Sequence, residues 1–264
     1  IGQQEWSDGN IGMAGGSYGG WVQWQSAPLR SEYLKCLAPR VMCGDLSTGL
    51  IHPGGAFQLN VALTWGMRTN GRTAQSIEYH NWTEAFRSTP VVDMDHLAGR
   101  ELRFWRDWVS HTEYDDYWDS VNIETKWDQF AVPALVMGGW YDIYAQNAFI
   151  NFNGLKLNGR TEEARQSRLI VGPWPHALSA STKTGDIDFG VNSMVDLESL
   201  ELRWFDYWMR GADNGVADEA PLRLFIMGVN EWRDEHEWPL ARTDWQNGIF
   251  TRSAKPIRLE ATEG

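Results

Sequence analysis

Apolar residues gather into four short runs separated by glycine, proline or polar residues. Asn10 to Ala14, Leu34 to Met42, Ala134 to Gly138 and Leu169 to Val171 each have the length of a strand buried on both faces, and each is followed by a breaker or a polar turn. The first run passes through glycines into Trp21, Val22, Trp24 and Gln25, which continue unbroken to Pro28 and read as a helix. Between the second and third runs lie residues 45–133, where strand alternation is absent and Trp65, Trp82, Trp105, Trp108, Trp118 and Trp127 recur. A compact fold does not carry so long a structureless loop, so this stretch is expected to be a helical insertion. Leu197, Leu200, Trp204 and Trp208 then repeat at helical spacing up to Gly211, a natural helix stop. From Pro221 to Gly228 the period shortens to two, and strand and turn signals run on to Gly264. The expected organisation is an α/β core of residues 1–45 and 130–215 with a parallel sheet, an inserted helical cap over 46–129, and a β-rich domain beginning in 216–264.

Composition narrows the function. A chain of 264 residues, 42% of them hydrophobic, can bury a large core. Its formal net charge of −12 repels phosphate backbones and argues against nucleic-acid binding. No apolar run approaches the roughly 18 residues that cross a bilayer, so no membrane partner is expected. Cys36 and Cys43 lie in apolar surroundings without a Cys-x-x-Cys or histidine partner and read as core thiols. The histidines lack metal-ligand spacing, and no cofactor is expected. Compartment and oligomeric state, a homo-oligomer included, stay open.

The candidate chemistry sits at the strand exits. Gly15-Gly16-Ser17-Tyr18-Gly19 fits the Gly-x-Ser-x-Gly nucleophile elbow, in which a serine occupies a sharp strand-to-helix turn. A serine hydroxyl needs a histidine base and an acid to orient it, and in the hydrolase order both follow the serine. Of six histidines, His176 alone directly follows a strand-like run, in Val171-Gly172-Pro173-Trp174-Pro175-His176. Asp142, in Gly138-Gly139-Trp140-Tyr141-Asp142, is the favoured acid; Asp45, at the exit of the second run, is its rival.

These segments resemble the cocaine-esterase and Xaa-Pro dipeptidyl-peptidase-like serine hydrolases. Gly12 to Gly20 with Gln23-Trp24-Gln25 is similar to that family's elbow and following helix. Gly139 to Asp142 and Val171 to His176 are similar to its acid and base segments, and Trp204 to Trp208, Asp213 to Gly215 and Met227 to Arg233 to its next helix and the entry to its β-sandwich. The resemblance implies an α/β-hydrolase core, a helical cap and a C-terminal jelly roll. It implies hydrolysis of small-molecule esters or amides through an acyl-enzyme, with Ser17, Asp142 and His176 as the triad and the Tyr18 backbone N–H as one oxyanion donor. Family members place several elements before the elbow, among them a second oxyanion donor helped by a tyrosine hydroxyl. Only about ten residues precede the first strand here, so this chain is expected to be the middle of a longer enzyme.

Substrate signals are weaker. Relatives that act on α-amino acid esters follow the elbow tyrosine with an acidic residue, whereas Gly19 stands here, which favours neutral acyl groups. Trp140 and Tyr144, beside the acid loop, are the expected pocket walls. The family alternatives are a Xaa-Pro dipeptidyl peptidase or an acylase. An alternative of another class, a non-catalytic ligand-binding module, is suggested by 16 tryptophans and predicts exposed, stacked indoles.

Overall fold

The computed structural model describes residues 1–245 of the chain. Its main sheet is built from β1 (Ile11–Gly16), β2 (Leu34–Arg40), β3 (Leu135–Gly139) and β4 (Arg168–Gly172), all parallel. A small hairpin of β5 (Lys183–Thr184) and β6 (Ile187–Asp188) follows. β7 (Leu222–Ile226) and β8 (Glu231–Glu235) complete the main sheet, in the order β1-β2-β3-β4-β7-β8. Helix α1 (Tyr18–Ser26) connects β1 to β2. The insertion before β3 carries α2 (Leu59–Thr69), α3 (Trp82–Ala85), α4 (Met94–Leu97), α5 (Arg103–Ser110) and α6 (Asp116–Asp119). α7 (Ala145–Asn158) and α8 (Glu162–Arg165) connect β3 to β4, and α9 (Leu197–Arg210) precedes β7.

Three of the four apolar runs, β2, β3 and β4, form inner strands covered on both faces, whereas β1 stands at the edge of the sheet with Ala14 and Gly16 exposed and is not buried as expected. Leu37, Val136, Leu169 and Val171 point into one core, shared with α1, α7 and the insertion. Their neighbours Cys36, Ala38, Leu135, Met137 and Ile170 point into the other, against Trp204 of α9. A parallel sheet covered on both sides leaves no polar face, hence the unbroken hydrophobic runs. α9 has the expected punctuation: the Asp196 side chain accepts the Ser199 N–H at 3.0 Å, and Gly211 ends the helix at φ 67°. Trp105, Trp108, Trp118 and Trp127 of the insertion are buried in the first core, so the insertion shares its apolar interior with the sheet.

One expectation is corrected. Residues 221–235 do not open a separate β domain: β7 runs parallel to β4, with Leu169 opposite Leu222 and Val171 opposite Leu224, and β8 folds back antiparallel on β7. Period-two alternation identifies a strand but not its sheet, and buried Leu222, Leu224 and Phe225 are what tie β7 to the core. The rest of that expectation, residues 246–264, lies outside the described residues. Among the described residues no helix is long and apolar enough to cross a membrane.

Candidate active site

Ser17 stands between β1 and α1 with φ 54° and ψ −122°, a conformation that L-residues rarely adopt. Its N–H donates to the Arg40 carbonyl at 2.9 Å, and its own carbonyl accepts the Gly20 and Trp21 N–H groups. Gly15 has φ 148°, and a Cβ there would lie 3.3 Å from the Gly19 backbone; a Cβ on Gly20 would lie 3.0 Å from the Arg40 carbonyl oxygen. These glycines let the helix turn back tightly against the strand. Gly19 differs, since a Cβ there would meet open space. Tyr18 is the first residue of α1, where a backbone N–H has no partner within its helix.

The exits of β3 and β4 are stitched together. Trp140 N–H donates to the Gly172 carbonyl at 2.9 Å and Tyr141 N–H to the Trp174 carbonyl at 3.0 Å. A Cβ on Gly139 would overlap that same Trp174 carbonyl oxygen, which explains the glycine. Across this seam His176 Nδ1 and Asp142 Oδ1 are hydrogen-bonded at 2.9 Å. The Asp142 side chain is 1% exposed and the His176 ring 48% exposed. The carboxylate holds the His176 pKa above its ordinary 6.5, against the opposing effect of burial. With Nδ1–H donating to Asp142, Nε2 is left as a proton acceptor. Asp142 Oδ2 is buried and unpartnered among the described residues.

Ser17, Asp142 and His176 line one cavity of about 340 Å³. Its walls are apolar: Trp21 of α1, Met42, Leu46 and Leu50 after β2, and Val61 and Trp65 of α2. Tyr18, Tyr141, Ile143, Tyr144 and Pro175 complete it. Tyr144 is buried, with its ring centre 5.9 Å from that of His176. Burial first, then the nearby Cys43 and Asp142, push its phenol pKa upward. Trp140, expected as a second wall, is not among the lining residues. Its indole N–H donates to the Phe225 carbonyl at 2.8 Å, and its ring packs on Phe149 and Trp238. The reach of an indole to the β7 backbone, rather than nearness to Asp142 in sequence, decides where it points.

Asp45 is buried but serves its own loop. Its Oδ1 accepts the Ser47 N–H at 2.8 Å and its Oδ2 the Thr48 hydroxyl at 2.7 Å. The other histidines lie elsewhere. His52 is buried against Phe57 and Trp118, which lowers its pKa, and His111 pairs with Asp115 on an exposed surface, where the neighbouring Ser110 hydroxyl donates to the Arg106 carbonyl. Trp24, Trp105, Trp118, Trp174 and Trp204 are fully buried, the opposite of an exposed indole platform. Met42, Leu46, Leu50 and Val61 were not singled out from sequence; the helical spacing of Val61 and Trp65 is the one signal that marks a shared face. Among the described residues no group of three or more His, Cys, Asp or Glu is arranged to hold a metal ion.

A mainly parallel sheet covered by helices, with a serine elbow after one strand and a histidine–aspartate pair after two others, defines an α/β-hydrolase-like protein. The solved structure of an aminopeptidase from a marine sediment Thaumarchaeota archaeon superposes with a TM-score of 0.72 at 21% identity, over 89% of this chain and 40% of that one. A CocE/NonD family hydrolase from Staphylococcus aureus gives 0.58 at 19% identity, over 92% and 37%. The sequence model of the X-Pro dipeptidyl-peptidase family (S15 family) matches residues 1–178, and the chain belongs to that family. Cocaine esterase from Rhodococcus sp. (strain MB1 Bresler) is 31% identical over 262 residues, covering 91% of this chain and 44% of the relative. The chain thus spans under half the length of the curated relatives it matches.

Proposed function

We propose that the chain carries the catalytic centre of a serine hydrolase that cleaves carboxylic esters through an acyl-enzyme. The observation that carries this reading is the 2.9 Å His176–Asp142 hydrogen bond on the wall of the cavity that Ser17 also lines. Ser17 Oγ attacks the acyl carbonyl while its proton passes to His176 Nε2, and the Asp142 carboxylate stabilises the imidazolium. The Tyr18 N–H, at the positive end of α1, donates to the oxyanion. His176 then protonates the departing alkoxide. In the second half water attacks the acyl-serine, gives its proton to His176, and leaves the free acid and the serine. A helical cap over 46–129 and a C-terminal jelly roll, both implied by the family resemblance, belong to the same proposal.

The cavity favours a neutral, apolar acyl group. Among the described residues Asp142 is the only carboxylate lining it and its Oδ1 is bonded to His176, so a substrate ammonium finds no second carboxylate among them. Small-molecule aryl and alkyl esters are therefore expected to be cleaved better than α-amino acid esters or Xaa-Pro dipeptide amides. A preference for the amides, the activity named by the matched family, would promote the peptidase reading. Ser17→Ala in the full-length protein is expected to abolish ester hydrolysis and labelling by a serine-directed phosphonate while leaving the melting curve in place. Retained turnover would remove Ser17 from the mechanism.

A further inference from the structure

The serine elbow is held by a side chain that takes no part in the cavity. Gln23 lies on α1, fully buried, and its amide is spent on the backbone that surrounds Ser17. Nε2 donates to the Gly15 carbonyl at 3.1 Å and to the Gly19 carbonyl at 2.9 Å, while Oε1 accepts the Ala38 N–H of β2 at 3.1 Å. One amide thus joins the end of β1, the first turn of α1 and the neighbouring strand. A buried amide is unfavourable unless its hydrogen bonds are made, and here both of its ends are bonded. It also bridges Gly15 and Gly19, where a Cβ on Gly15 would lie 3.3 Å from the Gly19 backbone, on either side of Ser17 held at φ 54°.

We propose that Gln23 is a positioning residue for the reaction: it holds Ser17 in its strained backbone conformation and so fixes the direction of Oγ and of the Tyr18 N–H. The inference rests on Ser17 being the nucleophile. Without the clamp, nothing in the Gln23 side chain opposes relaxation of Ser17 toward an ordinary backbone conformation. Small displacements of a reacting atom are costly to the chemical step, whereas the apolar walls at Met42, Leu50 and Trp65 stay in place. The loss therefore belongs in kcat and not in KM.

The test compares Gln23→Met, which keeps the volume and removes all three hydrogen bonds, with Gln23→Glu, whose protonated carboxyl keeps one donor and the acceptor for Ala38. Both are assayed in the full-length protein with an aryl ester, beside Ser17→Ala, and kcat is expressed per active site titrated by the acylation burst. Gln23→Met is expected to lower kcat per site about tenfold or more with KM within about threefold, and Gln23→Glu to fall between it and the parent. Burst titration counts only competent molecules, so a purely structural role would lose sites at unchanged kcat, and that result overturns the proposal. A loss carried by KM overturns it as well. Should Gln23→Met fail to accumulate, Gln23→Glu decides alone: kcat per site equal to the parent's refutes the clamp, and a lowered kcat at unchanged KM supports it. An active Ser17→Ala would instead overturn the nucleophile assignment on which the proposal rests.

Discussion

The exits of β2 and β3 are neighbours in the sheet and look alike in sequence, yet they use their aspartates in opposite ways. β2 is followed by apolar Val41, Met42 and Cys43 and then Gly44, β3 closes on Gly138-Gly139, and each exit then places a buried aspartate, residue Asp45 at 4% exposure and residue Asp142 at 7%. The difference lies in the residues that follow. Asp45 is followed at two and three residues by Ser47 and Thr48, whose N–H and hydroxyl groups take up both carboxylate oxygens at the start of a short helical turn, Ser47–Ile51. Asp142 is succeeded by Ile143, Tyr144 and Ala145, from which it receives no side-chain hydrogen bond, so its Oδ1 serves the loop across the seam. An acid becomes available to a histidine only when its own loop leaves it unsatisfied.

The sharpest way to break this comparison is to neutralise each acid in turn. Asp142→Asn is expected to lower kcat on the order of 10⁴-fold, because an amide can hold His176 in the wrong tautomer and cannot stabilise an imidazolium. Its residual activity should also change with pH in a defined direction. The base must be neutral, so kcat/KM of the parent falls as pH drops through the raised His176 pKa, and without the carboxylate that inflection should move down toward 6.5. Asp45→Asn should keep kcat within about threefold and cost about 1 kcal/mol of stability, as expected for one altered buried hydrogen-bond set. Steady-state kinetics with urea denaturation checks both; a larger kinetic loss in Asp45→Asn would mean that the acid is on the other strand.

A smaller effect probes the seam itself. Gly139→Ala places a Cβ on the Trp174 carbonyl oxygen and must part the acid and base loops, so about 2–3 kcal/mol of stability and about 10²-fold in kcat should be lost together. Gly19→Ala meets open space and should change stability by about 0.5 kcal/mol or less. Thermal melts and kcat for the two alanines measure the contrast; equal behaviour would mean that the close contact at Gly139 does not hold the two loops together.

These contrasts also mark how far the residues alone reveal the molecule. β2 to β4 were legible because a strand covered on both faces must be continuously apolar, β1 because a short apolar run leads into the glycine elbow although the strand lies at the sheet edge, and Ser17, Asp142 and His176 because each stands just past such a run. β7 was legible as a strand and misassigned as to sheet, since alternation is blind to the partner. Trp140 misled because adjacency to Asp142 says nothing about an indole that reaches Phe225. Val61 and Trp65 reach the cavity from a segment more than forty residues from Ser17, and only the folded chain brings them together. The choice between the two acids was in fact written in Ser47 and Thr48, as donors two and three residues after Asp45.

A stability change with no expected effect on turnover is predicted for a carboxyl that feels the Asp45 charge. Burial and the Asp45 charge push Glu124 from its ordinary 4.5 up to about 7, and its Oε1 has no hydrogen-bond partner among the described residues. A carboxyl whose folded pKa is raised is held protonated by the fold, so its contribution is fully present below pH 4.5 and is lost as pH climbs through 7. The full shift would correspond to about 3 kcal/mol, and with partial exposure a loss of about 1–2 kcal/mol between pH 5 and pH 8.5 is expected. Glu124→Gln removes the titration and should flatten that part of the urea-stability profile. Asp45→Asn should shrink it by lowering the Glu124 pKa, whereas Asp142→Asn, at the exit of the next strand, should leave it unchanged. A profile that responds to Asp142→Asn and not to Asp45→Asn would show that the two strand exits are coupled differently from the way their hydrogen bonds divide them.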